Sequence, residues 1–303
     1  MPNEPLVTIA INNYNYGRFL GAAIDSALQQ TYPHIEVIVV DDGSTDNSRE
    51  VIAEYGDKIL PILQENGGQA SAFNSGFEAS RGEIICLLDA DDLFVPTKVA
   101  EVVEALQENR DRGWCFHPQQ WVDAQLNPIP GGQKEVGLSA EYDFRGPLKR
   151  GKLNNYLPPS GLPATSAFCF RRSLLEKMLP MPEIPILSDN YLKFLALALT
   201  PGYVINRFLS IQRIHQNNAY TDRNDRFKTT ARIEILTAYW MRHYFPEAIW
   251  TFSNNCFANG IAASWKSGGL VGDSRDWIDK YLASTPWRDR LTIYLKSVYY
   301  YLQ

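Results

Sequence analysis

The chain has 303 residues, 45% of them hydrophobic and 21% charged, with a formal net charge of −5. That is enough sequence to bury one large core or two modest ones, and the balance excludes a disordered chain. The acidic surplus leaves no electrostatic footprint for nucleic acid and suits a protein that handles anionic substrates through a metal.

Met1-Pro2-Asn3-Glu4 opens without a basic region and apolar segment, so no signal peptide is expected. Val7 to Ile11 reads as a strand, and Phe19 to Gln30 as a helix with Leu20, Ile24, Ala27 and Leu28 on one face. Ile35 to Val40 is a second strand, followed by a helix from Asp46 to Tyr55 with Asp46 as its N-cap. Ile59 to Leu63, Gln69 to Ala79 and Ile84 to Leu88 continue the alternation. The fold class is therefore α/β, a mostly parallel sheet flanked by helices.

From Asp123 to Pro163 the glycines and prolines (Pro128, Pro130, Gly131-Gly132, Pro147, Pro158-Pro159) break every local period, predicting a long loop region. A short strand from Ala164 to Phe170 leads into a helix from Arg172 to Met178. Another helix begins near Ser188, whose hydroxyl is placed to cap it, with Asp189 in its first turn. Helices over Ile233–Tyr244, Ile249–Trp265, Trp277–Ala283 and Arg288–Leu302 form a helical C-terminal region. The expected divisions are 1–122, the α/β half; 123–225, the second half of the same domain; and 226–303, the helical region.

Cys86, Cys115, Cys169 and Cys256 lack any C-x-x-C spacing and have apolar neighbours, which reads as core packing in a reducing cytosol. Apolar runs such as Phe194 to Leu199 fall far short of the roughly 20 residues that span a bilayer. A cytoplasmic protein is expected, with attachment to the inner membrane face as the alternative. Trp277, Tyr281, Trp287, Tyr294 and Tyr299-Tyr300-Tyr301 alternate with Lys280, Arg288, Arg290 and Lys296. This pattern reads as helices packed on the core or on a second subunit, forming a homo-oligomer, or as an amphipathic helix on lipid.

The chemistry concentrates at strand ends. Asp89-Ala90-Asp91-Asp92 follows a buried strand, where three carboxylates resist burial without a cation among them. Such carboxylates offer hard oxygen ligands to Mg²⁺ or Mn²⁺, at the sheet edge where open α/β sheets bind ligands. A solvated acidic turn is the bland alternative. Against it, the other strands end in Asn12-Asn13-Tyr14-Asn15, Asp41-Asp42-Gly43-Ser44-Thr45-Asp46 and Glu65-Asn66-Gly67-Gly68. Four neighbouring strands thus bring carboxylates, amides, a ring and glycines to one edge, a set suited to a nucleotide base.

Val7 to Asn15, Gln29-Gln30-Thr31-Tyr32, Val39 to Asp46, Asn66-Gly67-Gly68, Ala72 to Gly76, Ser80 to Glu83 and Leu88 to Asp92 resemble the family 2 glycosyltransferases, in order and spacing. The resemblance covers the first third continuously. It implies the GT-A fold, a nucleotide-diphospho-sugar donor, a divalent Mn²⁺ or Mg²⁺ ion and inversion at the anomeric carbon.

The resemblance also implies roles. Asn12 and Tyr14 match the positions that contact and stack on the base. Asp42 matches the acid that reads its N–H, and Asp41 supports it or reaches the ribose. Asn66 and Gly68 match the loop closing over the base. Asp91 matches the residue on the ribose or diphosphate side, Asp92 the metal ligand, and Asp89 a second ligand or a support for it. Phe73 departs from the Arg of many relatives. Asp189 fills the place of the general base, with Ser188 where relatives carry Glu. A helix N-terminal acid is its structural alternative.

Arg213 and His215 resemble an Arg-x-His element, with His215 at the metal or diphosphate and Arg213 at phosphate. Arg171, from the acceptor-side strand, and Asn74 are further candidates for diphosphate or acceptor contact. His34, His117 and His243 read as structural.

The expected activity is transfer of a sugar, from UDP-sugar in preference to dTDP- or GDP-sugar, to a hydroxyl of a glycan or lipid-linked acceptor. A non-catalytic nucleotide-sugar or glycan-binding module on the same fold is the alternative. A nucleotidyltransferase would carry a Gly-rich basic loop after the first strand, and a Rossmann dehydrogenase a G-x-G-x-x-G; neither is present.

Overall fold

The computed structural model describes residues 4–130, 138–158, 161–182, 189–216, 218, 226–269 and 274–303. In chain order the elements are β1 (Val7–Asn13), α1 (Gly17–Leu28), β2 (Ile35–Asp42), α2 (Ser48–Ala53), β3 (Leu60–Gln64), α3 (Gln69–Ala79), β4 (Ile84–Asp89), β5 (Leu93–Phe94), α4 (Lys98–Gln107), β6 (Trp114–Phe116), β7 (Gln119–Val122) and β8 (Ala140–Tyr142). There follow α5 (Arg145–Lys149), β9 (Phe168–Arg171), α6 (Arg172–Met178), α7 (Asn190–Leu199), β10 (Gly202–Val204), β11 (Ser210–Arg213), α8 (Arg226–Tyr244), α9 (Pro246–Lys266), α10 (Ser274–Ala283) and α11 (Trp287–Leu302). They form two compact units. One holds Met1–Asp143, Leu157–Pro185 and Leu199–His215; the other holds Phe144–Tyr156, Ile186–Ala198 and Gln216–Gln303.

The first unit is built on an eight-stranded sheet of order β3-β2-β1-β4-β9-β6-β10-β8. The first four strands are parallel, β9 runs antiparallel between β4 and β6, and β10 is parallel to β6. Helices cover both faces. On β2, Val37 and Val39 enter the core beneath α1, while Ile38 and Val40 enter a second cluster with Ala72 of α3. Burial of both faces is why these strands read as unbroken apolar runs. Register then fixes the site: Asn12 pairs with Asp89 and Asn13 with Asp41, so the ends of β1, β2 and β4 lie side by side. β5, β11 and β7 make a second, three-stranded sheet.

Several expectations are corrected. Asp46 does not cap α2, which starts at Ser48; its carboxylate instead accepts N–H groups of Ser48 and Gly17, tying two turns together. Burial would raise this carboxyl, but the hydrogen bonds from Ser48 and Gly17 outweigh it and hold it below the usual range. The strand expected from Ala164 is a 3₁₀ turn over Thr165–Ala167 followed by β9. The region read as loop contains β8 and α5, elements of three and five residues that are too short to show a period. The cap expected at Ser188 lies outside the described residues.

The second unit is helical. α8 and α9 pack closely enough at Gly260 that a Cβ there would come within 2.8 Å of Ile235. Tyr281 of α10 stacks on Phe257 at 3.8 Å, and the buried Arg242 guanidinium lies 3.6 Å from the Tyr281 ring while donating to Asn254 and Thr285. Among the described residues no helix is long and apolar enough to cross a membrane. All four cysteines are buried and unpaired.

Candidate active site

The turns after β1 and β2 are locked to each other. Asp41 is fully buried, and its carboxylate accepts from Asn13 (2.8 Å), from the Ser44 N–H (3.2 Å) and from Arg49 (3.0 Å). Asn15, at φ 60°, accepts the Thr45 N–H at 2.7 Å. Asp41 therefore braces the turn that carries its neighbour.

Asp42 holds the loop that follows β3. Its carboxylate accepts the N–H groups of Gly67 (2.9 Å) and Gly68 (2.8 Å) and the amide of Gln64 (2.7 Å), while its carbonyl accepts from Asn66 (3.0 Å). A carboxylate has about four lone-pair sites, so one acceptor position is left for a ligand donor. Gly43 (φ 77°) makes this approach possible, since a Cβ there would sit 2.6 Å from the Asn66 nitrogen.

Asn12 stands on β1 opposite Val40 of β2 and Asp89 of β4, and both polar atoms of its amide are buried without a hydrogen-bond partner. Native proteins rarely leave a buried amide so. Tyr14, two residues on, is 47% exposed and offers a free ring surface.

The acidic turn closes the edge. The Asp89 N–H donates to the Ser166 hydroxyl at 3.0 Å, and that hydroxyl hydrogen-bonds the Asp92 carboxylate. Asp92 also accepts the Arg213 backbone N–H at 2.9 Å. His215 places Nε2 3.1 Å from Asp91, its ring 4.8 Å from Phe19, and the Arg213 guanidinium lies 4.5 Å from the same Phe19 ring. Burial, and then the adjacent Asp91 charge, push Asp92 up to about 8. Beneath the turn, fully buried Lys98 donates to the Ser166 carbonyl at 2.5 Å and sits 3.4 Å over the Phe94 ring. Burial lowers its pKa, opposed by nearby cysteines and Asp92.

Asn12, Tyr14, Asp41, Asp42, Asn66, Gly68, Asp89, Asp91, Asp92, Arg213 and His215 are thus carried by one edge of this unit. Three candidates are not. Arg171 pairs with Ile84 at the opposite end of β4, about 16 Å along the strand from Asp89, and it donates to the carbonyls of Arg112 and Leu106. Asn74 uses both ends of its amide on the Met181 backbone, at 2.9 and 2.7 Å. Asp189 belongs to the other unit, where it pairs with Lys193 at 2.7 Å. Gln64, Lys98 and Ser166 were missed; nothing local marks them, because each acts on residues brought near by the fold.

Among the described residues no three His, Cys, Asp or Glu side chains are grouped as a preformed metal cage. Asp91 and Asp92 are buried side by side, and burial and the Asp91 charge raise the Asp92 carboxyl; a divalent cation that takes one or two protein oxygens and completes its shell from substrate phosphates would relieve that repulsion.

Residues 8–179 match the family described as Glycosyl transferase family 2. An uncharacterised glycosyltransferase of Nostoc sp. is 35% identical over 248 residues, covering 77% of this chain and 74% of that protein. One from Rickettsia typhi is 45% identical over 110 residues, covering 36% of this chain and only 35% of that protein. Among solved structures, S. aureus TarS 1–349 in complex with UDP-GlcNAc aligns over 98% of this chain and 89% of its own, with TM-score 0.62 and 15% identity. The mannosyltransferase PcManGT from Pyrobaculum calidifontis, in complex with GDP-Man and Mn²⁺, aligns over 99% and 88%, with TM-score 0.52 and 19% identity. These structural matches show the GT-A fold. By sequence, the chain belongs to glycosyl transferase family 2.

Proposed function

We propose that this protein moves a sugar, with inversion, from a nucleotide-diphospho-sugar to a hydroxyl of a glycan or lipid-linked acceptor. The observation that carries the donor assignment is the unpartnered Asn12 amide, on β1 between β2, which ends in Asp42, and β4, which leads into the acidic turn. In this reading Tyr14 stacks on the base, Asp42 accepts a base N–H, Asn66 and Gly68 shape the covering loop, and Asp91 meets the ribose or diphosphate. UDP is the preferred nucleotide, in keeping with the neighbour that binds UDP-GlcNAc; the sugar is a hexose or N-acetylhexosamine. Asp92, with Asp89 and His215 beside it, would hold Mn²⁺ or Mg²⁺, which supplies charge stabilisation for the departing diphosphate. Arg213 adds positive charge at the same edge.

Asp189 is the proposed base. It takes the acceptor hydroxyl proton as the oxygen attacks the anomeric carbon and the bond from that carbon to the diphosphate breaks. Its ion pair with Lys193 ties the carboxylate to the first turn of α7, which begins one residue later. The donor half is assigned to 1–122 and the acceptor side to 123–225. The four unpaired buried thiols support a reducing compartment, and so the cytoplasmic side of the membrane.

Calorimetric titration with UDP, dTDP and GDP, with and without Mn²⁺, tests the donor site. UDP is expected to bind more tightly with Mn²⁺, and Asp92→Ala to remove the metal dependence without unfolding the protein. A folded protein that binds none of the three overturns the assignment and favours a non-catalytic glycan-binding module.

A further inference from the structure

The second unit carries a largely exposed apolar helix face, bordered by Trp265 of α9, which meets the Tyr294 and Tyr301 rings edge-on at 6.4 and 6.0 Å. α11 packs inward through Ile293 and Ser297, and it is tied down by Asp289 accepting from Trp250 at 3.0 Å and by Lys296 donating to Asn255. Its opposite face presents Trp287, Leu291, Tyr294, Leu295 and Leu302, each 53–77% exposed, with Val298 among them. Their steps along the chain are 4, 3, 1, 3 and 4 residues, which keeps them on one side of the helix and reads the same from either end.

We propose that this face joins two copies of the chain as an antiparallel pair of α11 helices, with the two-fold axis between Tyr294 and Leu295. The seam is symmetric about that point. An antiparallel partner sets Trp287 against Leu302, Leu291 against Val298 and Tyr294 against Leu295, so that large side chains meet smaller ones and each contact occurs twice. Arg288 falls opposite Tyr301, a cation over a ring instead of a like charge.

The charge pattern disfavours a lipid surface as occupant. Among the described cations of α11, Arg290 donates to the Thr285 carbonyl and Lys296 to Asn255, so Arg288 alone stands on the apolar face. Helices that lie on membranes carry a cationic flank. Pairing over a 16-residue helix buries on the order of 1,000 Å² across both partners, the low end for a specific interface, so micromolar affinity is expected.

Sedimentation equilibrium of the full chain should show a monomer–dimer equilibrium, and Leu291→Glu should weaken it by roughly 100-fold, with an unchanged melting temperature when measured well below the Kd, where the chain is monomeric and that side chain faces solvent. All native cysteines are buried, so single introduced thiols report geometry. Tyr294→Cys should form an intermolecular disulfide. Trp287→Cys should not, its two copies lying about 22 Å apart along the pair. A chain that stays monomeric at about 100 μM, well above a micromolar Kd, overturns the proposal. So does a Trp287→Cys cross-link as efficient as that of Tyr294→Cys, which would mean a parallel pair. A monomer that sediments with phosphatidylserine vesicles overturns it in favour of lipid.

Discussion

The Ser166 hydroxyl accepts the Asp89 amide hydrogen at 3.0 Å, across 77 residues of sequence. Through the same oxygen it reaches Asp92, so one side chain fixes both ends of the acidic turn. Ser166→Ala leaves a backbone N–H unpaired beside a buried carboxylate. A loss of about 1–3 kcal/mol in stability is expected, read by urea unfolding. Affinity for UDP with Mn²⁺ should fall about tenfold, equivalent to roughly 1.4 kcal/mol.

Asn12→Leu separates binding from stability. The native amide lacks a partner in its buried position, so an apolar side chain of similar size should leave stability equal or raise it by about 1 kcal/mol. Nucleotide affinity should drop by roughly 10- to 100-fold, the loss of one or two well-formed polar contacts. A variant that is destabilised and binds normally would show that Asn12 serves the fold instead.

Gly43→Ala tests the link between the β2 turn and the loop after β3. A methyl group at a φ of 77° and 2.6 Å from the Asn66 nitrogen must push that loop away. The strained backbone alone costs about 1–2 kcal/mol, and displacement of Asn66 and Gly68 should weaken nucleotide binding further. Thermal unfolding and calorimetry on the same variant check both effects.

Asp189→Asn should lower kcat by about 100-fold or more, the range for losing a general base, and leave UDP affinity within twofold. Single-turnover kinetics with the accepted donor would read this directly. A change in UDP affinity with normal turnover would remove Asp189 from the chemistry.

Glu234, on α8, gives the second unit a pH signature. Burial pushes its carboxyl up to about 7, against hydrogen bonds from Cys256 and Asn259. The unfolded chain ionises this group near its ordinary 4.5, so between those two values the unfolded state binds fewer protons. Stability therefore falls as pH rises through that window and levels off above it. Glu234→Gln should remove this slope and be more stable than the parent at pH 8 by roughly 1–3 kcal/mol. Equal stability profiles for the two proteins would refute the assignment.

The sheet and its turns were legible because β1, β2 and β4 are buried on both faces and end in polar residues of distinctive order. Asp42, Asp91 and Asp92 stand where that order puts them, at the neighbouring ends of β2 and β4. Arg171 could not be placed, since its distance from Asp89 depends on β9 entering antiparallel with Arg171 opposite Ile84. β6, β8 and β10, of three residues each, left no period to read.

By itself, the sequence determined the α/β alternation, the family and the chemical character of the strand ends, because each is written in contiguous residues with a period or a motif. Only the tertiary structure decided which polar groups are already satisfied. It committed Asn74 to Met181, set Ser166 and Lys98 beneath the acidic turn and left the Asn12 amide unpaired. Hydrogen-bond satisfaction is a property of neighbours in space, and among the described residues those neighbours lie as many as 124 residues apart along the chain.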